Sequence, residues 1–350
     1  MLIIDGDYSE GGGQILRTAV ALSIITRQPL KVINIRKRRP KPGLRPQHLA
    51  VLKALAEISK ATTSGFDIGS QEIEFEPTYF ASLDSQLEID TQTSAAIGLV
   101  LQPLLLVAAF ATSGLLCRIY GGTSGLGAMP VDYYKDIILP VLRHIGLRVD
   151  LEIIRYGFYP KGGGQVSLFV DGIKSSKPLI RETQGKIKNI NGLSVASKEL
   201  ADKEVAQRQA KAGEDYLKRS FDCPIKIDSL YVDTESVGSQ ISLFAHTNKG
   251  VRLGADARGE KGKASESVGR DAACLLEEEI ASGAAVDRHL ADNLIPWLAL
   301  LGGRLKIARL TSHTKTNIWV CEQFFGKIFR VEENEVSTGG CYAAIKKAKV

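Results

Sequence analysis

Apolar and polar positions follow two periods along this chain, and the order in which the periods succeed one another recurs. Period-two runs predict strands and runs of period 3.6 predict helices. The first set comprises strand Leu2 to Ile4, a glycine turn, an amphipathic helix over Ile15 to Ile25, strand Leu30 to Ile35, helix Gln47 to Ile58, and strands Thr62 to Phe66 and Glu72 to Phe75. That order is β-α-β-α-β-β. It returns in strand Gln86 to Ile89, helix Ser94 to Ala111, strand Leu116 to Ile119, helix Val131 to Ile145, and strands Arg148 to Arg155 and Gly164 to Val170. A third stretch carries helices Glu266 to Ser282 and Leu290 to Leu301, then strands Leu305 to Leu310 and Ile318 to Phe324.

These patterns predict an α+β fold with a large domain of residues 1–180 and 264–350. Three repeated β-α-β-α-β-β units, about 1–77, 86–170 and 264–335 plus a flanking strand, would pack there with pseudo-threefold symmetry. Between 181 and 263 the rhythm changes to strand Leu193 to Ala196, a highly charged helix Leu200 to Arg219, and strands Ile225 to Val232, Gln240 to Ala245 and Val251 to Gly254. This predicts a smaller inserted α/β domain, its charged helix a solvated face.

Composition narrows the class. With 350 residues and 44% hydrophobic content the chain can bury a large core. Its longest apolar stretch, Ala95 to Thr112, is interrupted by Gly98, Gln102 and Pro103 and falls short of the roughly 20 apolar residues of a membrane span, so no membrane partner is expected. The start of the chain runs directly into strand-like sequence without a basic leader, an expectation of cytoplasmic location. Five cysteines, none in a CxxC pair, suggest neither a disulfide framework nor a zinc site.

The net charge of +6 is mild, but seven basic residues and no acidic ones fall between Lys31 and His48. The part from Arg36 to Arg45 contains Pro40, Pro42 and Gly43, so it must be an exposed loop. It is either a phosphate grip or simply a solvated loop, and its lack of aromatic residues argues for phosphate contact over base stacking. The tracts Gly11-Gly12-Gly13 and Gly162-Gly163-Gly164 either present backbone N–H groups to an anion or reverse the chain. Glu10 and Arg17 offer a carboxylate for a divalent ion and a guanidinium for phosphate, or else a local surface contact. His313, expected on a turn between two strands, stands among Ser312, Thr314, Thr316 and Asn317, which suit an oriented, largely neutral nucleophilic imidazole. From local sequence alone the favoured reading is a plain hairpin-turn histidine.

Taken together, Asp5-Gly6 through Glu10-Gly11-Gly12-Gly13-Gln14-Ile15-Leu16-Arg17, Lys41-Pro42-Gly43-Leu44-Arg45-Pro46-Gln47-His48-Leu49, Gly157 to Gly164, His289 to Asn293 and His313-Thr314-Lys315-Thr316-Asn317 resemble the RNA 3′-terminal phosphate cyclases over nearly the whole chain. The resemblance implies a large domain of three β-α-β-α-β-β units, each like the C-terminal domain of a bacterial translation initiation factor, with the small domain inserted in the third. It also implies ATP-dependent conversion of RNA 3′-phosphate ends to 2′,3′-cyclic phosphates, through a histidine-AMP intermediate and an RNA-adenylate, with Mg2+ or Mn2+. Position by position, His313 matches the adenylated histidine, and Gln102 with His289, Leu290, Ala291, Asp292 and Asn293 the ATP-binding positions. Pro130 falls where the adenine face is covered, Arg17, Arg45 and Gln47 where phosphates are held, and Glu10 where a carboxylate places the metal. Arg38 and Arg39 join Arg45 as expected contacts to RNA phosphate. His289 and Asn293 stand where some members have tyrosine and glutamine, and an imidazole can still stack on a purine. A non-catalytic ribosome-assembly relative and an enolpyruvyl transferase are the alternative readings, and the oligomeric state is left open.

Overall fold

In the computed structural model, which describes residues 1–78, 87–111, 114–125, 127–173 and 176–342, the two periods resolve into four small mixed sheets and the helices that cover them. The first sheet and its helices are β1 (Leu2–Asp5), α1 (Gly13–Thr26), β2 (Leu30–Ile33), α2 (Pro46–Ser59), β3 (Thr62–Ser64) and β4 (Ile73–Glu76), in strand order β1-β2-β4-β3. Next come β5 (Leu87–Asp90), α3 (Ile97–Ala109), β6 (Leu115–Gly121), α4 (Val131–Tyr133), α5 (Leu139–His144), β7 (Leu147–Arg155) and β8 (Gly164–Ile173), in order β5-β6-β8-β7. A π-helical turn over Tyr134–Ile138 carries α4 into α5. Gln86, expected to open β5, and Thr112, expected to end the apolar stretch, lie outside the described residues.

β9 (Leu179–Arg181) is followed by β10 (Ile187–Ser197), α6 (Val205–Leu217), β11 (Ile225–Val232), β12 (Ser239–Thr247), β13 (Arg252–Arg258) and α7 (Ser265–Ala281). Then come α8 (Arg288–Leu301), β14 (Gly303–Lys306), α9 (Ser312–Phe325), β15 (Arg330–Glu332) and β16 (Glu335–Thr338). β9 joins the last three strands in the order β15-β16-β14-β9, whereas β10 to β13 form a sheet of their own, β11-β10-β12-β13.

In the first, second and last of these sheets one parallel pair is extended by two antiparallel pairings: β1 with β2, β5 with β6 and β9 with β14 are the parallel pairs. Parallel neighbours require a crossover. α1 and α3 supply it in two cases, and the third crossover holds the whole β10–β13 sheet with α7 and α8. α1 is buried from Gln14 to Ile25, because residues such as Ile15, Ala19, Leu22 and Ile25 leave it almost no polar face. It packs on α3 and α9, and α8 packs on α3 and α9, so these four helices share one core under the sheets.

Three expectations are corrected. The strand expected over Ile318 to Phe324 is the body of α9, and His313 is the second residue of that helix, not a hairpin-turn residue. The charged helix expected over Leu200 to Arg219 is split by Glu204, whose φ of +51° separates a 3-10 segment, Lys198–Lys203, from α6. Helix α7, expected to open the third unit, buries Val268, Ala272, Ala273 and Leu276 with α6 and the β10–β13 sheet.

Candidate active site

The head of α9 is built from paired polar groups. Thr311 caps the helix: its hydroxyl accepts from the Thr314 N–H at 2.9 Å and donates to Asp292 Oδ1 at 2.5 Å. The Thr314 hydroxyl donates to the same carboxylate oxygen at 2.6 Å. One turn on, the Asn317 amide donates to the Asp292 carbonyl at 2.6 Å and accepts from Thr18 Oγ1 of α1 at 2.9 Å. Thr314 and Asn317 are wholly buried, and a polar group left unpaired there would cost about 1–3 kcal/mol, so α9 is keyed to α8 and α1 in one register. Burial raises the Asp292 carboxyl pKa, and the Thr311 and Thr314 hydroxyls pull it back down.

His313 is oriented by a residue 299 positions away. The Gln14 side-chain N–H donates to the His313 carbonyl at 2.9 Å, which turns the amide oxygen of Gln14 to His313 Nδ1. An oxygen facing Nδ1 can only accept, so Nδ1 carries a proton, and the neutral tautomer of this ring is the one with its lone pair on Nε2. Nε2 lies 3.7 Å from Glu10 Oε2, and Glu10 Oε1 accepts from the Ser312 hydroxyl. The outcome is a half-exposed imidazole whose Nδ1 is held by Gln14 and whose Nε2 is turned to the Glu10 side.

Beside it opens a cleft of about 570 Å³, in the range of small-molecule pockets. It is lined by Gln14, Arg17, Gln102, His289, Asp292, Asn293 and His313, together with Asp256, Arg258 and Lys263 from β13 and the turn after it. Arg17 is 7% exposed, and its guanidinium is 3.4 Å from Gln102 Oε1 with no carboxylate partner among the described residues. Burial lowers its pKa to about 10, which still leaves it a cation at neutral pH. A buried cation with only neutral partners is costly, and an anion is what would complete it. His48, by contrast, is held neutral: burial, then Arg17, Arg36 and Arg45, lower its pKa to about 3. Its ring also explains Gly13, because a Cβ there would collide with His48 Nε2.

The other expected residues lie apart from the cleft. Leu290 and Ala291 face the core. Pro130 is the buried residue before α4, while Gly127, Ala128 and Met129 line the cleft just ahead of it. Gln47 and Arg45 sit at the start of α2, where the Arg45 N–H donates to His48 Nδ1 at 3.1 Å. Arg39 is exposed, 4.0 Å from Glu10. Arg38 is committed to the Glu10 loop: it pairs with Asp7 at 2.8 Å and donates to the carbonyls of Asp7 and Ser9 at 2.5 and 2.8 Å. Between those carbonyls Tyr8 stacks on Trp319 of α9, centroids 4.0 Å apart and planes 6° from parallel.

Sequence reading missed the roles of Gln14, Tyr134 and Asp256. Tyr134 is buried at the cleft, its hydroxyl donating to the Gly98 carbonyl at 2.6 Å. Asp256 lines the cleft, and burial, then the nearby Asp287, raises its pKa to about 7. Asp287 ties β13 to α8: it caps α8 through the N–H groups of His289 and Leu290, at 3.0 and 2.8 Å, and its other oxygen accepts from Gly254 N at 3.0 Å. Gln14 stood in a legible motif, but its partner is visible only in the folded chain. Among the described residues no group of three or more His, Cys, Asp or Glu is arranged to hold a metal ion, and no helix is long and apolar enough to cross a membrane.

Comparison with known proteins gives a consistent result. A family model described as RNA 3′-terminal phosphate cyclase matches residues 8–331. An RNA 3′-terminal phosphate cyclase from Pyrococcus furiosus is 43% identical over 99% of this chain and 100% of its own length. Proteins of the same name from Thermococcus onnurineus, 45% identical over 95% of this chain and 96% of theirs, and from Caldivirga maquilingensis, 44% over 93% and 92%, are also similar.

Proposed function

The chain belongs to the RNA 3′-terminal phosphate cyclase family, and we propose that it performs the family's ATP-dependent conversion of an RNA 3′-phosphate to a 2′,3′-cyclic phosphate through AMP joined to His313. The observation that carries this reading is the Gln14–His313 pair, which holds the proton on Nδ1 and so makes Nε2 the nucleophilic nitrogen of the neutral ring, beside a cleft containing the buried cation Arg17.

In the first step Nε2 attacks the α-phosphorus of ATP, the bond to the bridging oxygen breaks, and diphosphate leaves. The imidazole that now carries AMP keeps its Nδ1 proton on Gln14. An oxygen of the RNA 3′-phosphate then displaces the histidine, giving an RNA-AMP phosphoanhydride and free His313. Last, the neighbouring 2′-hydroxyl attacks the activated phosphorus, loses its proton, and AMP leaves. Without activation the leaving group would be hydroxide or oxide. With it, a nucleophile already held next to phosphorus completes the ring.

Arg17 and the N-terminus of α1, whose Gly12 cap has no side chain to satisfy the first N–H groups, suit the phosphates. Gln102, Asp292, His289 and Asn293 would line the nucleotide, with His289 at the base. A divalent cation of the Mg2+ kind sits on one or two carboxylates plus substrate phosphates, and Glu10, turned to His313 by Ser312, fits that limited role. Such an ion would neutralise phosphate charge. Arg39 and the exposed lysines of the basic loop would meet the RNA backbone, whereas Arg38 holds the Glu10 loop. We also read the first, second and last sheets as three copies of one β-α-β-α-β-β unit, supported by their shared strand order and sense. The insert between β9 and α8 then extends through α7, which packs on its sheet.

The test is covalent labelling. Protein incubated with ATP labelled in the α-phosphate and with Mg2+ or Mn2+ should yield an acid-labile AMP adduct mapping to His313, absent in a folded His313→Ala variant. No adduct on the wild-type protein, or an adduct retained by the variant, overturns the assignment.

A further inference from the structure

The basic run Arg36 to Arg45 contains no aromatic residue, but folding brings one to it. Tyr8 is 39% exposed although one ring face is covered by Trp319. Its backbone is clamped by Arg38 on the carbonyls to either side, and Glu10, two residues on, reaches Ser312 and lies 3.7 Å from His313 Nε2. A ring with one face backed and its chain held has little freedom left to lose on stacking. Trp319 lies six residues beyond His313 on α9, about 9 Å along the helix axis, within reach of the nucleotides adjoining a phosphate held at His313. An aromatic ring beside a basic loop is the combination with which proteins hold single-stranded nucleic acid without reading its sequence.

We propose that Tyr8, backed by Trp319, is a stacking platform for a nucleobase at the 3′ end of the RNA, so that the end is held by a base as well as by its phosphates. This rests on the reading of His313 as the site of AMP transfer. It assigns the RNA end to the side of His313 occupied by the Glu10 loop, leaving the cleft to the nucleotide.

The experiment compares 3′-phosphorylated RNAs that are intact or lack the base at the terminal or the penultimate nucleotide, with cyclisation measured at saturating ATP. For the wild-type protein one abasic RNA should show a KM raised about tenfold, within the range of base–aromatic stacking. Tyr8→Phe should keep that difference and Tyr8→Leu should erase it. A 2-aminopurine at the sensitive position should be quenched on binding to the wild-type protein, a readout independent of how well the leucine variant folds. Equal KM values for all three RNAs with wild-type protein, or base dependence unchanged in Tyr8→Leu, overturn the platform. The AMP adduct is measured alongside: its absence from wild-type protein rejects the His313 reading, whereas a normal adduct without base dependence rejects the platform alone.

Discussion

The head of α9 and the basic loop both present polar chemistry to one rim of the molecule, and they are built in opposite ways. Around His313 the polar groups are short, buried and paired with neutral or single partners: Thr311 and Thr314 on Asp292, Asn317 on Thr18, Gln14 on the imidazole. Around Lys37 to Pro42 the charges are exposed. Buried groups keep their geometry and act at low dielectric, while exposed cations are screened within about 10 Å in 0.1 M salt. On the proposed reading the difference would separate bond making from substrate capture, and Arg38 is where the two regions meet, a loop cation whose hydrogen bonds fix the loop bearing Glu10.

Replacing Arg17 by alanine should break the buried half most severely. With that cation gone, the rate of AMP-adduct formation should fall about 100- to 1,000-fold, the loss typical of removing one preorganised charge-stabilising donor, with cooperative unfolding in urea retained. A loss under tenfold would mean that Arg17 serves packing. Gln14→Ala should lower the same rate by about 100-fold, because Nδ1 loses the acceptor that fixes the tautomer. A Gln14→Ala protein with wild-type adduct kinetics would refute the tautomer argument.

Arg38→Ala sharpens the boundary. If Arg38 belongs to the Glu10 loop, adduct formation should slow about 15-fold before any RNA is present, within the range of losing one charge-assisted hydrogen bond. If it only grips RNA, adduct formation should be unchanged. Lys37 and Lys41, which have no ion pair among the described residues, should behave as pure capture groups. Replacing both by alanine should leave the adduct rate intact and lower the salt slope of RNA binding by about 1.4, for single-stranded contacts. The smallest effect concerns Asp256. Because its pKa is raised to about 7, the protonated form is favoured by folding, so the stabilisation it gives is complete below the ordinary carboxyl pKa, near 4, and is lost as pH rises through about 7. Relative to Asp256→Asn, the wild-type Tm should therefore drop by about a few degrees between pH 4 and 8, and a constant difference would contradict the shift.

The two regions were also unequally legible in the sequence. The basic loop declared itself through Pro40, Pro42 and Gly43, which forbid regular structure. The head of α9 did not, because Ile318, Trp319, Val320 and Phe324 have the composition of a strand. Its helical period appears only when polar residues are counted as core: Thr314, Asn317, Val320 and Cys321 are the buried face. Thr311 as an N-cap was the available signal. The expectation placed His313 on a turn, whereas it lies in the first turn of α9. Gln14, Asp256 and the packing of α7 on the β10–β13 sheet depend on contacts between distant segments, which no local pattern contains.

The key between Thr18, Asp292 and Asn317 joins the first and last parts of the chain, and Gln14 reaches His313 across 299 positions. Half the protein therefore cannot do half the chemistry. A fragment ending before residue 292 would keep Arg17 and Gln102 without His313, and one beginning after residue 18 would keep the histidine without the amide that orients it. The site exists only when both ends of the chain have docked, so on the proposed reading a clipped chain would have no means to consume ATP for nothing.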